Sequence, residues 1–146
     1  MRDSADAMKR RLVVVATAVV AAAGVAGCGS LAAREDAAGS VAARFEAALQ
    51  ARNGAGACRF LAPNTRQQLE RSARARCAGA LTDAVAGAAR SPGKVRQVDV
   101  YGDQARAVFA RDTVFLAEFS TGWRITAADC HSGGSDRPYD CTVKGG

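Results

Sequence analysis

Val25-Ala26-Gly27-Cys28 sets a thiol directly behind small residues and an apolar run, residues 12–23. A cysteine in that setting has the pattern of a bacterial lipobox. Its sulfur accepts a diacylglycerol, and the peptide bond before it is then cut. The small side chains of Ala26 and Gly27 leave room for the processing enzymes at backbone and thiol. Cys28 would become the first residue of the exported protein. Each acyl methylene buried in a bilayer contributes about 0.8 kcal/mol, so two or three chains anchor stably.

Four thiols remain, Cys58, Cys77, Cys130 and Cys141. An even set in an oxidising compartment points to disulfides. Three pairings are open, and the sequential one, Cys58–Cys77 with Cys130–Cys141, is expected because each pair lies within one local unit. Zinc is a poor fit, since no CxxC occurs and the single histidine, His131, has one adjacent cysteine. No metal and no cofactor are expected.

Proton-transfer chemistry has thinner candidates. Asp99 and Tyr101 would share one face of a strand, with Val98 and Val100 on the other. Glu118 falls on the same side as Val114 and Leu116. His131 carries the side chain that exchanges protons near neutrality, but beside a disulfide cysteine and a Gly-Gly loop it reads as solvated. The chain has no Gly-x-Ser-x-Gly elbow, phosphate-binding loop or His-Glu-x-x-His. No catalytic residue is assigned. Trp123, just after a turn glycine, reads as core. Arg66, Arg71, Arg74 and Arg76 cluster on one helix, either as a solvated face or as a contact for anionic lipid or cell-wall polymer.

The segment carrying the lipobox has the anatomy of an export signal. Arg2, Lys9, Arg10 and Arg11 form a basic n-region diluted by Asp3 and Asp6, and the apolar run is too short to span a membrane. Met8 offers a tighter alternative start. Arg10-Arg11 resembles a twin-arginine signal, although its flanks fit poorly. Residues 1–27 are therefore read as signal peptide, 28–36 as lipidated cysteine and short tether, and 37–146 as one folded domain. From Cys28 onward, 16 Lys and Arg face 12 Asp and Glu, a net charge of +4. That excess favours anionic lipid or polymer and is too diffuse to argue for nucleic acid. Arginine outnumbers lysine and alanine abounds, as GC-rich codons dictate.

Periodicity supplies the elements. Val41, Phe45, Ala48 and Leu49 make one face of a helix over residues 37–52, which Asn53-Gly54 should end. Residues 57–61 suit one short turn. Thr65 and Gln68 suggest a capping box opening a second helix. Leu69, Ala73, Cys77, Leu81 and Val85 form its stripe, with a break near Gly79, and Ser91-Pro92-Gly93 ends it. The period then becomes two. Residues 94–101, 104–110, 113–119 and 123–129 read as strands joined by turns too short for crossover helices, hence antiparallel. Residues 131–137 form a polar loop, and residues 139–143 return as an edge strand beside Cys130. The expected fold is α+β, N-terminal helices packed on a curved four-stranded antiparallel meander, with two disulfides.

Four stretches carry a family resemblance: Ala57-Cys58-Arg59-Phe60-Leu61-Ala62-Pro63, Asp112-Thr113-Val114-Phe115-Leu116, Gly122-Trp123-Arg124-Ile125-Thr126-Ala127 and Pro138-Tyr139-Asp140-Cys141-Thr142. With them the chain resembles small actinobacterial lipoproteins that pair a lipobox with an NTF2-like (cystatin-like) domain, in which a sheet wraps a long helix into a cone. The resemblance covers nearly all of the chain after the lipobox. It implies a fold and a location, the outer face of the cell membrane, and transfers no mechanism. Enzymes of that fold use a pocket carboxylate and a second proton donor, for which Asp99, Tyr101 and Glu118 are the available groups. Two functions follow. One is a lipid-anchored, non-catalytic interaction lipoprotein, partnered with an envelope protein. The other is a small enzyme or carrier for an apolar molecule.

Overall fold

The computed structural model describes residues 30–87 and 93–145. The lipobox, the apolar run before it and the Ser91-Pro92 break lie outside the described residues.

Among the described residues four helices come first: α1 (Leu31–Gln50), α2 (Gly54–Cys58), α3 (Pro63–Ala73) and α4 (Cys77–Ala84). The sheet follows: β1 (Gln97–Tyr101), β2 (Gln104–Val108), β3 (Thr113–Phe119), β4 (Gly122–Ser132) and β5 (Tyr139–Lys144). The five strands pair antiparallel in sequence order. The α+β arrangement of helices followed by a meander is as expected, but the strands number five, not four. Tyr139–Lys144 is a full member of the sheet, paired with β4 from Ala127 to Ser132.

α1 starts six residues before its expected origin at residue 37. Ser30 caps it, its Oγ accepting from the Ala33 N–H at 3.2 Å. The apolar stripe alone could not reveal those first turns, because residues 32–37 are polar or small and exposed or only part-buried, and Leu31 is itself exposed. Residues 31–36, read as tether, are therefore helix. The buried face is also rotated: Ala38, Gly39, Ala42, Phe45 and Glu46 are buried, while Val41, Ala48 and Leu49 flank them. Small residues let α1 lie close on the sheet. A Cβ at Gly39 would stand 3.0 Å from Val98 Cγ2.

The turns differ from expectation in ways that local hydrogen bonds explain. α1 ends at Gln50, and Arg52, not Asn53 or Gly54, takes the left-handed conformation (φ 53°). Asn53 instead caps α2, its Oδ1 accepting from the Gly56 N–H at 2.8 Å. No Thr65/Gln68 capping box forms. Pro63 occupies the first turn of α3, and the Thr65 hydroxyl, buried, donates to the Thr126 carbonyl at 3.0 Å. The helix breaks at Arg74 (φ 51°), not near Gly79, and Ala73 is exposed. The Glu70 carboxylate accepts from the Cys77 N–H at 3.1 Å and so starts α4.

Both disulfides join the pairs expected. Cys58–Cys77 ties α2 to α4, and Cys130–Cys141 ties β4 to β5. Two register shifts interrupt the ladder between β3 and β4, as bulges do. Beyond the end of β5, the β4 edge is covered by residues 60–62: Ala62 N–H donates to Ile125 O at 2.7 Å and Ile125 N–H to Phe60 O at 2.8 Å. The core between helices and sheet holds Phe45, Leu81, Val114, Leu116, Ile125 and Val143, each almost wholly buried.

Candidate functional site

The residues singled out for proton transfer do not meet. Val98 and Val100 pack against the core, so alternation turns Asp99 and Tyr101 to the opposite face of β1. There Asp99 receives two hydrogen bonds from Arg106 of β2, at 2.7 and 3.2 Å, and one from Gln97 at 2.8 Å. The hydrogen bonds from Arg106 and then Gln97 hold its carboxyl below the usual range. Arg106 is raised in turn, chiefly by the same hydrogen bond. Tyr101 is 64 % exposed. Phe115 and Tyr139 meet edge to face, ring centroids 5.0 Å apart.

Glu118 sits at the far end of β3 and faces Arg34 of α1 at 2.6 Å. The same guanidinium donates to the Gly102 carbonyl at 2.5 Å and lies 5.5 Å from the Trp123 ring centroid. Trp123 is buried, in keeping with a core role. Arg34 carries no signal in the apolar periodicity, because it lies in the first turns of α1, ahead of the buried stripe.

His131 belongs to β4 rather than to a loop, since that strand runs on to Ser132. Its ring is solvent-facing and lies 3.4 Å from Asp129. On α3, Arg66 pairs with Glu70 at 3.3 Å and Arg71 donates to Gln68 at 2.9 Å. Arg74 and Arg76 lie in the exposed turn before α4.

A second acidic group was not foreseen. Glu46, buried on the inner face of α1, shares a side-chain hydrogen bond with Asp112 at the β2–β3 turn. Burial is the main influence on Asp112 and raises its carboxyl above the usual value, with Asp129 adding to the effect; the Cys130 N–H, 2.9 Å away, opposes it. A glutamate adjacent to Phe45 on the apolar stripe was the available signal.

Grooves open between the described residues. One, about 350 Å³, runs beside Phe119 and is lined by Ala62, Pro63, Thr65, Thr126 and Gly145. Another, about 500 Å³, lies where Glu35 and Asp36 of α1 face residues 95–98. No group of three metal-ligating side chains gathers among the described residues, and no helix among them is long and apolar enough to cross a membrane. Comparison with protein-family models, with curated proteins and with solved structures returns no match for this chain.

Proposed function

We propose that this chain is an exported lipoprotein, held on the outer face of the cell membrane by a diacylglyceryl group on Cys28. Its domain, an NTF2-like cone in which the sheet curves around α1, serves as an interaction module for an envelope protein rather than as an enzyme. The observation that carries the reading is Val25-Ala26-Gly27-Cys28 behind a basic segment and an apolar run. Two disulfides suit an oxidising compartment and support the same location.

The interaction role draws support from where the reactive groups are engaged. Asp99 is locked to Arg106 on the sheet face away from the core, and Glu118 is paired with Arg34 at a strand end. A pocket acid of the isomerase kind needs an enclosed position within reach of a second proton donor, and neither carboxylate has that setting among the described residues. Short reach to the bilayer follows from the anchor, because helix begins three residues after Cys28. The net positive charge suits contact with anionic lipid or wall polymer.

The test is metabolic labelling in a lipid-modifying bacterial host. Wild-type protein takes up labelled palmitate and fractionates with membranes, and Cys28→Ala does neither. Equal labelling of the two proteins would overturn the anchor.

A further inference from the structure

Three large apolar side chains stand exposed among the described residues: Leu31 at 58 %, Tyr101 at 64 % and Phe119 at 41 %. They are far apart in sequence, and the elements that carry them meet at one end of the domain. Leu31 opens α1, Tyr101 ends β1, and Phe119 ends β3. Arg34, one turn into α1, binds both strand ends: Gly102, next to Tyr101, and Glu118, next to Phe119. The Glu118 N–H also donates to Asp103 O at 2.7 Å, tying the end of β3 to the β1–β2 turn. One end of the domain thus carries all three.

Cys28 precedes Leu31 by three residues. Three extended residues reach at most about 11 Å. A lipid on Cys28 therefore holds this end, and not another, against the bilayer.

We propose that this end is a membrane-docking rim, in which Leu31, Tyr101 and Phe119 enter the boundary between headgroups and acyl chains beside the Cys28 lipid. The proposal rests on the anchored reading and adds an orientation to it. Tyrosine suits that depth, with an apolar ring and a hydroxyl that stays in the wet layer. The charges around the rim include two cations, Arg34 and Arg124, the latter reaching Thr121 in the β3–β4 turn at 3.4 Å, against the acids Glu35, Asp36, Asp103 and Glu118, so cations are not in excess. Attraction to anionic headgroups is thus not what seats it, and the contact is apolar. α1, 20 residues long, rises about 30 Å from the surface at 1.5 Å per residue. The β2–β3 turn and the α1–α2 junction then face outward, toward partners.

The experiment uses lipidated full-length protein in vesicles of phosphatidylcholine, with lipids brominated near the headgroup as quenchers. In a Trp123→Phe background, Tyr101→Trp reports on the rim and Gln50→Trp on the far end of α1. The expected result is loss of most Tyr101→Trp emission, no loss for Gln50→Trp, and the same pattern when phosphatidylglycerol is added. Unquenched Tyr101→Trp in protein that still sediments with vesicles overturns the rim and leaves the anchor standing. Quenching that requires phosphatidylglycerol overturns the apolar contact. Protein without acyl mass that fails to sediment overturns the anchor, and the rim with it. If the Trp123→Phe background does not fold, hydrogen exchange settles the matter with Trp123 in place. Amides of residues 101–103 and 119–122 in vesicle-bound wild type should exchange severalfold more slowly than in lipidated Tyr101→Asp/Phe119→Asp, and equal rates overturn the rim.

Discussion

Replacing both Cys58 and Cys77 with alanine should cost the domain about 3 kcal/mol at 25 °C, from loop entropy alone. The bridge closes a loop with a sequence separation of 19. Both cysteines are buried, at 6 % and 2 % exposure, so lost sulfur packing adds to the loss. Unfolding entropy near 60 °C is about 2.1 cal/mol/K per residue. For about 115 residues that gives roughly 240 cal/mol/K, and 3 kcal/mol becomes a fall in Tm of about 12 °C. The assay is calorimetry of oxidised wild type against the double variant, after a thiol titration shows that Cys130–Cys141 remains closed. A fall below about 4 °C, equivalent to about 1 kcal/mol, would refute the reasoning. It would mean that α2 and α4 are held by packing alone. The bridge would then be an incidental result of two thiols brought close.

Three further outcomes are expected. Arg34 and Glu118 are 32 % and 39 % exposed, so a double-mutant cycle with Arg34→Ala and Glu118→Gln should give a coupling of only about 0.2–1 kcal/mol, weakening with salt; a larger, salt-insensitive value would contradict a surface pair. Asp112 has its carboxyl raised above 3.8 in the fold, so its contribution is present below that value and is lost as pH rises through the raised one. Asp112→Asn keeps an oxygen for the Cys130 N–H, and its stability relative to wild type should improve as pH rises from 4 toward neutrality in urea titrations; a pH-independent difference would count against it. Gly54→Ala forces a Cβ to 2.4 Å from the Ala78 carbonyl oxygen, and should lower the unfolding free energy by about 1–3 kcal/mol, read as a lower urea midpoint with m unchanged, whereas no loss would mean that α2 and α4 separate freely.

Much of the sheet was readable because apolar and polar residues alternate along β1 and β2. Ala105 and Ala107 are buried on either side of Arg106, and Val98 and Val100 flank Asp99. Turn residues did the rest, with Gly102 and Gly122 both in the left-handed region. The disulfide pairing was legible from locality. The helices were harder. Leu69, Ala73, Cys77, Leu81 and Val85 keep four-residue spacing across a break, so periodicity alone merges α3 with α4. The break depends on Glu70 reaching Cys77, a contact that no spacing rule reveals. The same holds for Thr65, whose capping-box position is overridden by a bond to Thr126, 61 residues on. Arg34 belonged to a helix start that only the Ser30 cap defines.

The site was less legible than the fold. Asp99, Tyr101 and Glu118 were correctly placed on their strands, but their partners, Arg106 and Arg34, come from pairing and packing. The Glu46–Asp112 contact joins a helix to a turn and has no local signature beyond a carboxylate on an apolar stripe. The proposed lipobox is a purely sequential pattern, written in adjacent residues 25–28. It lies outside the described residues, and the fold does not bear on it.

The central claim concerns the first residue of the exported protein. Intact mass spectrometry of protein extracted from membranes of a lipid-modifying host, followed by sequencing of its N-terminal peptide, tests it most directly. The account predicts a chain beginning at Cys28 that carries a diacylglyceryl group and is four hydrogens lighter than its reduced form. A chain beginning elsewhere, or Cys28 with a free thiol, would contradict it.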